Sequence, residues 1–161
     1  MGSTVIYISH RGNTNGKNLE RENTKSYIDE AIEKGFDVEI DICKWDGKNF
    51  YLGHDEPQEA VSPSWLEGRP LWIHAKDHVA FHELISRNLH CFWHNTDRYT
   101  LTSNGWIWAY PGEPGGKNAI TVFPENNPDW KKFSGICSDE IEKYKNEYKF
   151  DWKNSHYSNS K

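Results

Sequence analysis

Two histidines, one arginine and two carboxylates in the first third of the chain carry the side chains needed to attack a phosphodiester. His10 and Arg11 end one predicted strand. Glu39 and Asp41 share a face of the next strand, and His54 follows a hairpin. A metal and the guanidinium would hold the negative charge of the phosphate. One imidazole would activate the nucleophile, and the other would protonate the leaving oxygen.

The elements that must position these groups are strands that alternate with helices early in the chain and with loops later. Apolar and β-branched runs predict strands at 4–9, 36–43, 71–75, 91–93, 106–110, 119–123 and 135–137. Helical patterns follow Thr24, span 77–87 and span 138–148, and Asp46-Gly47 predicts a hairpin. We expect an α/β fold, specifically a small, irregular TIM-like (β/α) barrel that is shortened in its second half.

Length and composition restrict the classes of protein. The 161 residues predict a single domain over 1–152 and a frayed tail over 153–161. A net charge of −5 without a long basic run argues against nucleic-acid binding, and no apolar run approaches the roughly 20 residues of a membrane span. The lack of a basic N-terminal segment and the odd number of cysteines, three, favour a reduced, cytoplasmic protein. Eight tryptophans predict a core of large rings, and exposed aromatic strands would allow a homodimer.

The segment from Ile8 to Asp55 resembles the N-terminal signature of the glycerophosphodiester phosphodiesterase family, within the phosphatidylinositol phospholipase C-like superfamily. The shared pattern is strand-His-Arg-Gly, then Glu22-Asn23-Thr24, a helix, Val-Glu-x-Asp, a short hairpin and His-Asp. The segment 134–139 is similar to the Gly-Ile-x-Thr-Asp ending of the same barrels. The resemblance implies a metal-dependent hydrolase of lipid metabolism that cleaves a glycerophosphodiester-like small phosphodiester.

The resemblance also implies roles for individual residues. His10 and His54 would be general base and general acid, while Glu39 and Asp41 would bind a divalent cation. Oxygen ligands of this kind favour Mg²⁺ or Ca²⁺.

Three further residues would bind the phosphate or support a residue that binds it. Arg11 and Lys76 would contact it directly, and Glu22 would hold Arg11 as a supporting partner. These assignments follow from the position of each residue within the shared pattern.

One departure from the family pattern concerns the metal. The family usually brings a third carboxylate from a Glu-x-Lys strand, and here the triplet is His74-Ala75-Lys76. A neutral imidazole is a poor ligand for Mg²⁺ or Ca²⁺ and a good one for Zn²⁺, Mn²⁺ or Fe²⁺. Three outcomes stay open: a softer metal bound in part by His74, substitution by Glu125, or weak metal binding.

Two other functions remain open at this point. One is a metal-independent lyase that forms a cyclic phosphate, as in bacterial phosphatidylinositol-specific phospholipase C. The other is a degenerate, non-catalytic barrel that binds a phosphorylated ligand. His94, at the end of a short predicted strand, can reach the pocket in any of these cases, whereas His78 and His82 are expected on an exposed helix face.

Overall fold

The computed structural model describes residues 4–147 and has an α/β fold, as predicted. Its ten strands within that range are β1 (Ile6–His10), β2 (Asp37–Trp45), β3 (Phe50–Leu52), β4 (Glu59–Val61), β5 (Leu71–Ala75), β6 (Cys91–Phe92), β7 (Tyr99–Leu101), β8 (Ile107–Ala109), β9 (Ala119–Val122) and β10 (Gly135–Ser138). The strands β4 and β7 were not predicted. Both are three residues long, and their pairing with β3 and β8 defines them.

The helices are α1 (Lys25–Glu33), α2 (Pro63–Leu66) and α3 (His78–Ser86), with 3₁₀ turns at Pro124–Asn126 and Trp130–Lys132. The carboxylate of Asp77 caps α3 by accepting from the backbone N–H of Ala80 at 2.9 Å. Residues 141–147 are also helical, three residues later than the predicted start. The predicted tail, 153–161, lies outside the described residues. Within residues 4–147 no helix has the length and apolar character required to cross a bilayer.

Seven strands form a parallel sheet in the order β6-β5-β2-β1-β10-β9-β8. The hairpin β3-β4 pairs antiparallel with the end of β2, and β7 pairs antiparallel with β8. Since the seven strands run in one direction, their carboxyl ends lie at the same edge of the sheet. That edge carries the predicted site residues.

The ladder does not close into a barrel, because β6 and β8 are not paired among the described residues. The predicted TIM-like barrel is therefore not confirmed. Instead, the segment 99–103, which pairs with β8, also bonds to the β6 side. The backbone N–H of Ser103 donates to the carbonyl of Cys91 at 2.9 Å, and the hydroxyl of Thr100 donates to the carbonyl of Trp93 at 2.9 Å. We call this junction the seam.

Aromatic rings connect the two sides of the seam from inside. The ring of Trp108 on β8 lies 4.6 Å from that of Phe92 on β6 and 5.7 Å from that of Trp72 on β5, measured between centroids. They belong to a buried cluster with contributions from six strands: Ile8, Trp72, Phe92, Trp108, Ile120, Val122 and Cys137. The sheet therefore surrounds an inner layer with three large rings, as the tryptophan content predicted, whereas the larger core cluster next to α1 and α3 is mostly aliphatic.

The alternation of side chains between the two faces of β2 determines which of its residues belong to the candidate site. Val38, Ile40 and Ile42 pack in a separate buried cluster with residues of α1 and α3. Successive side chains of a strand point to opposite faces, so Glu39 and Asp41 point away from the helices and into the enclosed side of the sheet. Both carboxylates are buried.

Candidate functional site

Glu39, Asp41 and His74 form a cluster that could hold a metal ion. Asp41 on β2 is the direct register partner of His74 on β5. His74 Nδ1 lies 3.4 Å from Asp41 Oδ1 and 3.8 Å from Glu39 Oε2, and one ligand atom from each residue falls within 4.8 Å of the others. The carboxylate side chains are 3% and 0% exposed. Two adjacent strands thus supply the whole donor set.

The backbone fixes which nitrogen of His74 faces the carboxylates. Nε2 lies 2.6 Å from the carbonyl oxygen of His94, which can only accept a hydrogen bond. A proton must therefore reside on Nε2, so that in the neutral form of the ring Nδ1 presents its lone pair to Glu39 and Asp41. The ring also stacks on Phe92 at 5.1 Å with an interplanar angle of 15°.

The two carboxylates retain unsatisfied oxygens that fit a cation. Glu39 Oε1 and Asp41 Oδ1 are buried and accept no hydrogen bond. Burial and the neighbouring charge of Glu39 raise the pKa of Asp41. For Glu39 burial acts in the same direction, but the contact with His74 and the positive charges around it lower its pKa overall. Buried, unpartnered carboxylate oxygens require a positive partner, and a divalent ion supplies one.

Arg11 and Asn23 hold the other oxygen of Asp41. Arg11 Nε lies 3.0 Å from Asp41 Oδ2, and an outer nitrogen of the guanidinium lies 3.7 Å from Glu22. The amide of Asn23 donates to Asp41 Oδ2 at 3.0 Å and accepts from the Asp41 backbone N–H at 3.0 Å. Arg11 and Asn23 both have positive φ, 60° and 56°, so local backbone turns aim them at Asp41.

His10 is oriented by a carboxylate that the sequence did not single out. His10 Nδ1 donates to Asp139 Oδ1 at 2.7 Å, and Asn13 donates to the same oxygen at 2.9 Å. His10 Nε2 is then free to exchange a proton, and it lies 4.0 Å from Glu39 Oε1. Burial lowers the pKa of His10, but the bond to Asp139 and the charges of both carboxylates outweigh it, and the pKa is raised.

Two features of the sequence could have identified Asp139. It follows β10 directly, at the carboxyl end of a parallel strand, and it stands at the last position of the segment that resembles Gly-Ile-x-Thr-Asp. Asn13, in the loop between β1 and α1, carried no such signal. Asn23 belongs to the Glu22-Asn23-Thr24 segment of the shared pattern, but nothing in the sequence predicted its contact with Asp41.

A cavity of about 190 Å³ opens over these groups. His10, Arg11, Glu39 and His74 line it, together with several aromatic rings: His94, Trp108, Tyr110 and Phe123. The predicted reach of His94 into the pocket is thus seen in the structure. His94 Nδ1 is buried without a partner, and burial together with the charge of His74 lowers the pKa of the ring.

His54 lies in a different cavity. Its side chain is 39% exposed, and Nδ1 contacts Asp55 at 2.8 Å. This second cavity, of about 380 Å³, is polar and is lined by His54, Asp55, Glu56 and Gln58 together with Arg11. Arg11 therefore stands at the junction of the two cavities, with His10 on one side and His54 on the other.

The structure does not bring Lys76 or Glu125 into this group. Lys76 follows β5 and does not line either cavity as described, although its charge contributes to lowering the pKa of His94. Glu125 is exposed and its carboxylate lies 3.5 Å from the hydroxyl of Tyr144, which packs in a separate cluster with Phe36 and Trp130. Glu125 therefore does not replace His74 as a third ligand.

No model of a known protein family, no curated protein and no solved structure matches the chain. The fold and the site together define an α/β protein with a buried group of two carboxylates and an imidazole that could hold a metal ion. Any function must be argued from that chemistry.

Proposed function

We propose that the chain is a metal-dependent phosphodiesterase that hydrolyses a glycerophosphodiester-like small phosphodiester. The observation that carries the proposal is the placement of His10. Its ring is fixed by Asp139, and it lines a cavity together with Arg11 and two of the candidate metal ligands, Glu39 and His74. A proton carrier oriented by a carboxylate, next to a guanidinium and an acidic cluster, is the combination that phosphodiester cleavage needs.

Glu39, Asp41 and His74 would hold the cation. When bound, a divalent ion polarises the phosphoryl oxygens and stabilises the charge that develops on them. Arg11 lines both cavities, so a phosphate at their junction would contact the guanidinium. Its partners Asp41 and Glu22 keep the guanidinium in place before the substrate binds.

The two histidines would divide the proton transfers between the cavities. His10 Nε2 removes a proton from the attacking water in the smaller cavity. His54 protonates the departing alcohol in the larger one, where Asp55 supports its ring. The larger cavity is polar and open, which suits a hydroxylated alcohol such as glycerol.

The test is an assay of the purified protein on bis(p-nitrophenyl) phosphate and on glycerophosphodiesters, with Mg²⁺, Ca²⁺, Mn²⁺ and Zn²⁺ each in turn. His10→Ala should lower kcat about 100-fold or more, since positioned proton carriers contribute roughly 10²- to 10⁴-fold. His78→Ala, on the exposed face of α3, serves as the matched control and should retain full activity.

Several results would contradict the proposal. Activity that survives both His10→Ala and His54→Ala rules out the proton transfers. A cyclic phosphate product in phosphorus NMR, formed equally with chelator, indicates the metal-independent lyase. Tight phosphodiester binding without turnover in any metal indicates a binding protein.

A further inference from the structure

We propose that the Glu39–Asp41–His74 cluster selects a transition-metal ion, of the Mn²⁺, Fe²⁺ or Zn²⁺ class, over Mg²⁺ and Ca²⁺. The proposal rests on the metal site that the proposed function uses, and it names the cofactor class of that site. Three features of the described residues lead to it: the fixed tautomer of His74, the limited supply of oxygen donors and the rigidity of the set.

The first feature is the nitrogen donor. His74 Nε2 donates to the carbonyl of His94 at 2.6 Å, which leaves Nδ1 as the ligand atom. A hydrogen bond from the second ring nitrogen to a carbonyl is the usual support of a metal-bound histidine, because it fixes the ring orientation and raises the basicity of the ligand. Imidazole nitrogen binds Mn²⁺, Fe²⁺ and Zn²⁺ well and hard alkaline-earth ions poorly.

The second feature is the small number of available oxygens. Asp41 Oδ2 already contacts Arg11 and Asn23, so Asp41 can offer only Oδ1 to an ion. That oxygen and Glu39 Oε1 are the buried carboxylate atoms left unsatisfied. Ca²⁺ takes six to eight oxygen ligands, often with bidentate carboxylates, and this cluster cannot supply that number.

The third feature is that the donors are held in place before any ion binds. Asp41 and His74 are register partners on adjacent parallel strands, and the imidazole stacks on Phe92. A preformed set of carboxylate and imidazole donors with open positions is typical of transition-metal sites such as those with two histidines and one carboxylate, and this cluster has a carboxylate in place of one imidazole. Substrate oxygens and water would complete the coordination from the cavity side.

The test is a direct measurement of metal affinity. The metal-free full-length protein is titrated with Mn²⁺, Zn²⁺, Mg²⁺ and Ca²⁺ in separate calorimetric experiments, and bound metal is counted after dialysis against a mixture of the four. We expect one ion per chain and Mn²⁺ or Zn²⁺ binding at least about 100-fold more tightly than Mg²⁺ or Ca²⁺.

His74→Glu is the decisive variant, because it replaces the nitrogen donor by a carboxylate. Its Zn²⁺ affinity should fall and its Mg²⁺ affinity should rise, so that the preference decreases by at least about 10-fold. His82→Glu introduces the same charge on the exposed face of α3 and should bind all four ions as the original chain does.

A spectroscopic readout independent of affinity is the proton NMR spectrum of the Co²⁺-loaded protein. The Nε2 proton of His74 is buried against the His94 carbonyl, so it should give a strongly shifted, exchangeable resonance that is absent in His74→Glu.

Equal or tighter binding of Mg²⁺ or Ca²⁺ by the original chain would overturn the inference. So would the absence of binding by any of the four ions, in which case His74 serves only as a structural neighbour of the two carboxylates. Transition-metal selectivity without phosphodiester turnover would remove the proposed function and support the inference. Turnover with a preference for Mg²⁺ would do the reverse.

Discussion

The proposed chemistry depends on Asp139, a side chain that is not itself a candidate metal ligand but holds His10 in place. By accepting from His10 Nδ1 it places the reactive lone pair of that ring on Nε2, inside the cavity. The bond from Asn13 fixes the carboxylate in turn. Burial raises the pKa of Asp139, but the bond and charge of His10 outweigh it and the pKa is lowered, so the carboxylate stays ionised and able to accept.

Asp139→Asn should lower kcat by about 100-fold or more with little change in KM. An amide at this position can present its NH₂ group to His10 Nδ1, which moves the imidazole proton to Nε2 and removes the base. Steady-state kinetics on bis(p-nitrophenyl) phosphate measure the effect. The control is Glu140→Gln, at the exposed neighbouring position, and unchanged kcat in Asp139→Asn would contradict the orienting role.

The positions of the strand-borne site residues followed from strand periodicity, whereas the contacts of the loop-borne residues did not. The alternation of β2 placed Glu39 and Asp41 on one face, and strand ends placed His10 and His74 beside them. The contacts of Asn13 and Asn23 depend on a loop that turns through positive φ at Arg11 and Asn23, which no periodicity describes. The separation of His54 from the cavity of His10 likewise depends on how the loop after β3 lies.

At the level of elements, β10 has no room for a side chain at Gly135, between β1 and β9. A methyl group on this residue would lie 2.7 Å from the carbonyl oxygen of Ile6 and 2.7 Å from Cδ1 of Ile120. Both neighbours are register partners of Gly135 in the parallel sheet. The backbone oxygen cannot move without disturbing β1, which carries His10.

Gly135→Ala should therefore destabilise the fold by about 1 to 3 kcal/mol, the usual effect of forcing extra volume into a packed interior. Urea denaturation followed by circular dichroism measures the free energy of unfolding. Gly116→Ala is the matched control, since its new methyl group would meet nothing nearer than the Lys132 carbonyl at 3.9 Å. Equal stability of the two variants would show that the strands can separate at no cost.

The longer strands could be predicted from their hydrophobic runs. The short strands β4 and β7 form because a neighbouring strand is available to pair with them. The runs at β1, β2, β5 and β9 are apolar or β-branched enough to be recognised alone, and the Asp46-Gly47 turn placed β3 correctly. The sequence Glu-Ala-Val of β4 and Tyr-Thr-Leu of β7 carries no such pattern. Each becomes a strand because β3 or β8 offers a free edge.

At the level of the whole molecule, the inner layer of aromatic rings joins the β6 and β8 sides of the sheet, which no strand-to-strand pairing connects directly among the described residues. The β6 and β8 sides of the sheet are joined by the few bonds of the seam and by the contacts of Trp108 with Phe92 and Trp72. The α/β class could be predicted from alternating strands and helices. The open ladder could not, because it depends on whether short segments near 99–103 complete the pairing.

Trp108→Ala should destabilise the protein by about 3 to 5 kcal/mol, the range for removing a large ring from a core. Trp108 is 3% exposed and contacts both sides of the seam. Trp93→Ala, at a ring that is 43% exposed, should have an effect below about 1 kcal/mol. Chemical denaturation compares the two, and amide hydrogen exchange should show faster exchange in β7 and β8 of Trp108→Ala. A Trp108→Ala chain as stable as Trp93→Ala would mean that the rings do not join the two sides.

The smaller cavity is lined partly by residues on strands that continuous ladders hold in place and partly by residues beside the seam. The candidate ligands and Arg11 belong to β2, β5 and the end of β1, which are held by continuous ladders. Trp108 and Tyr110, which also line the smaller cavity, belong to β8 and its end, beside the seam where β6 and β8 are not paired among the described residues. Under the proposed function, a bulkier group that remains on the phosphate in the smaller cavity would therefore be accommodated by outward displacement of Trp108 and Tyr110, with the distances between the reacting groups preserved.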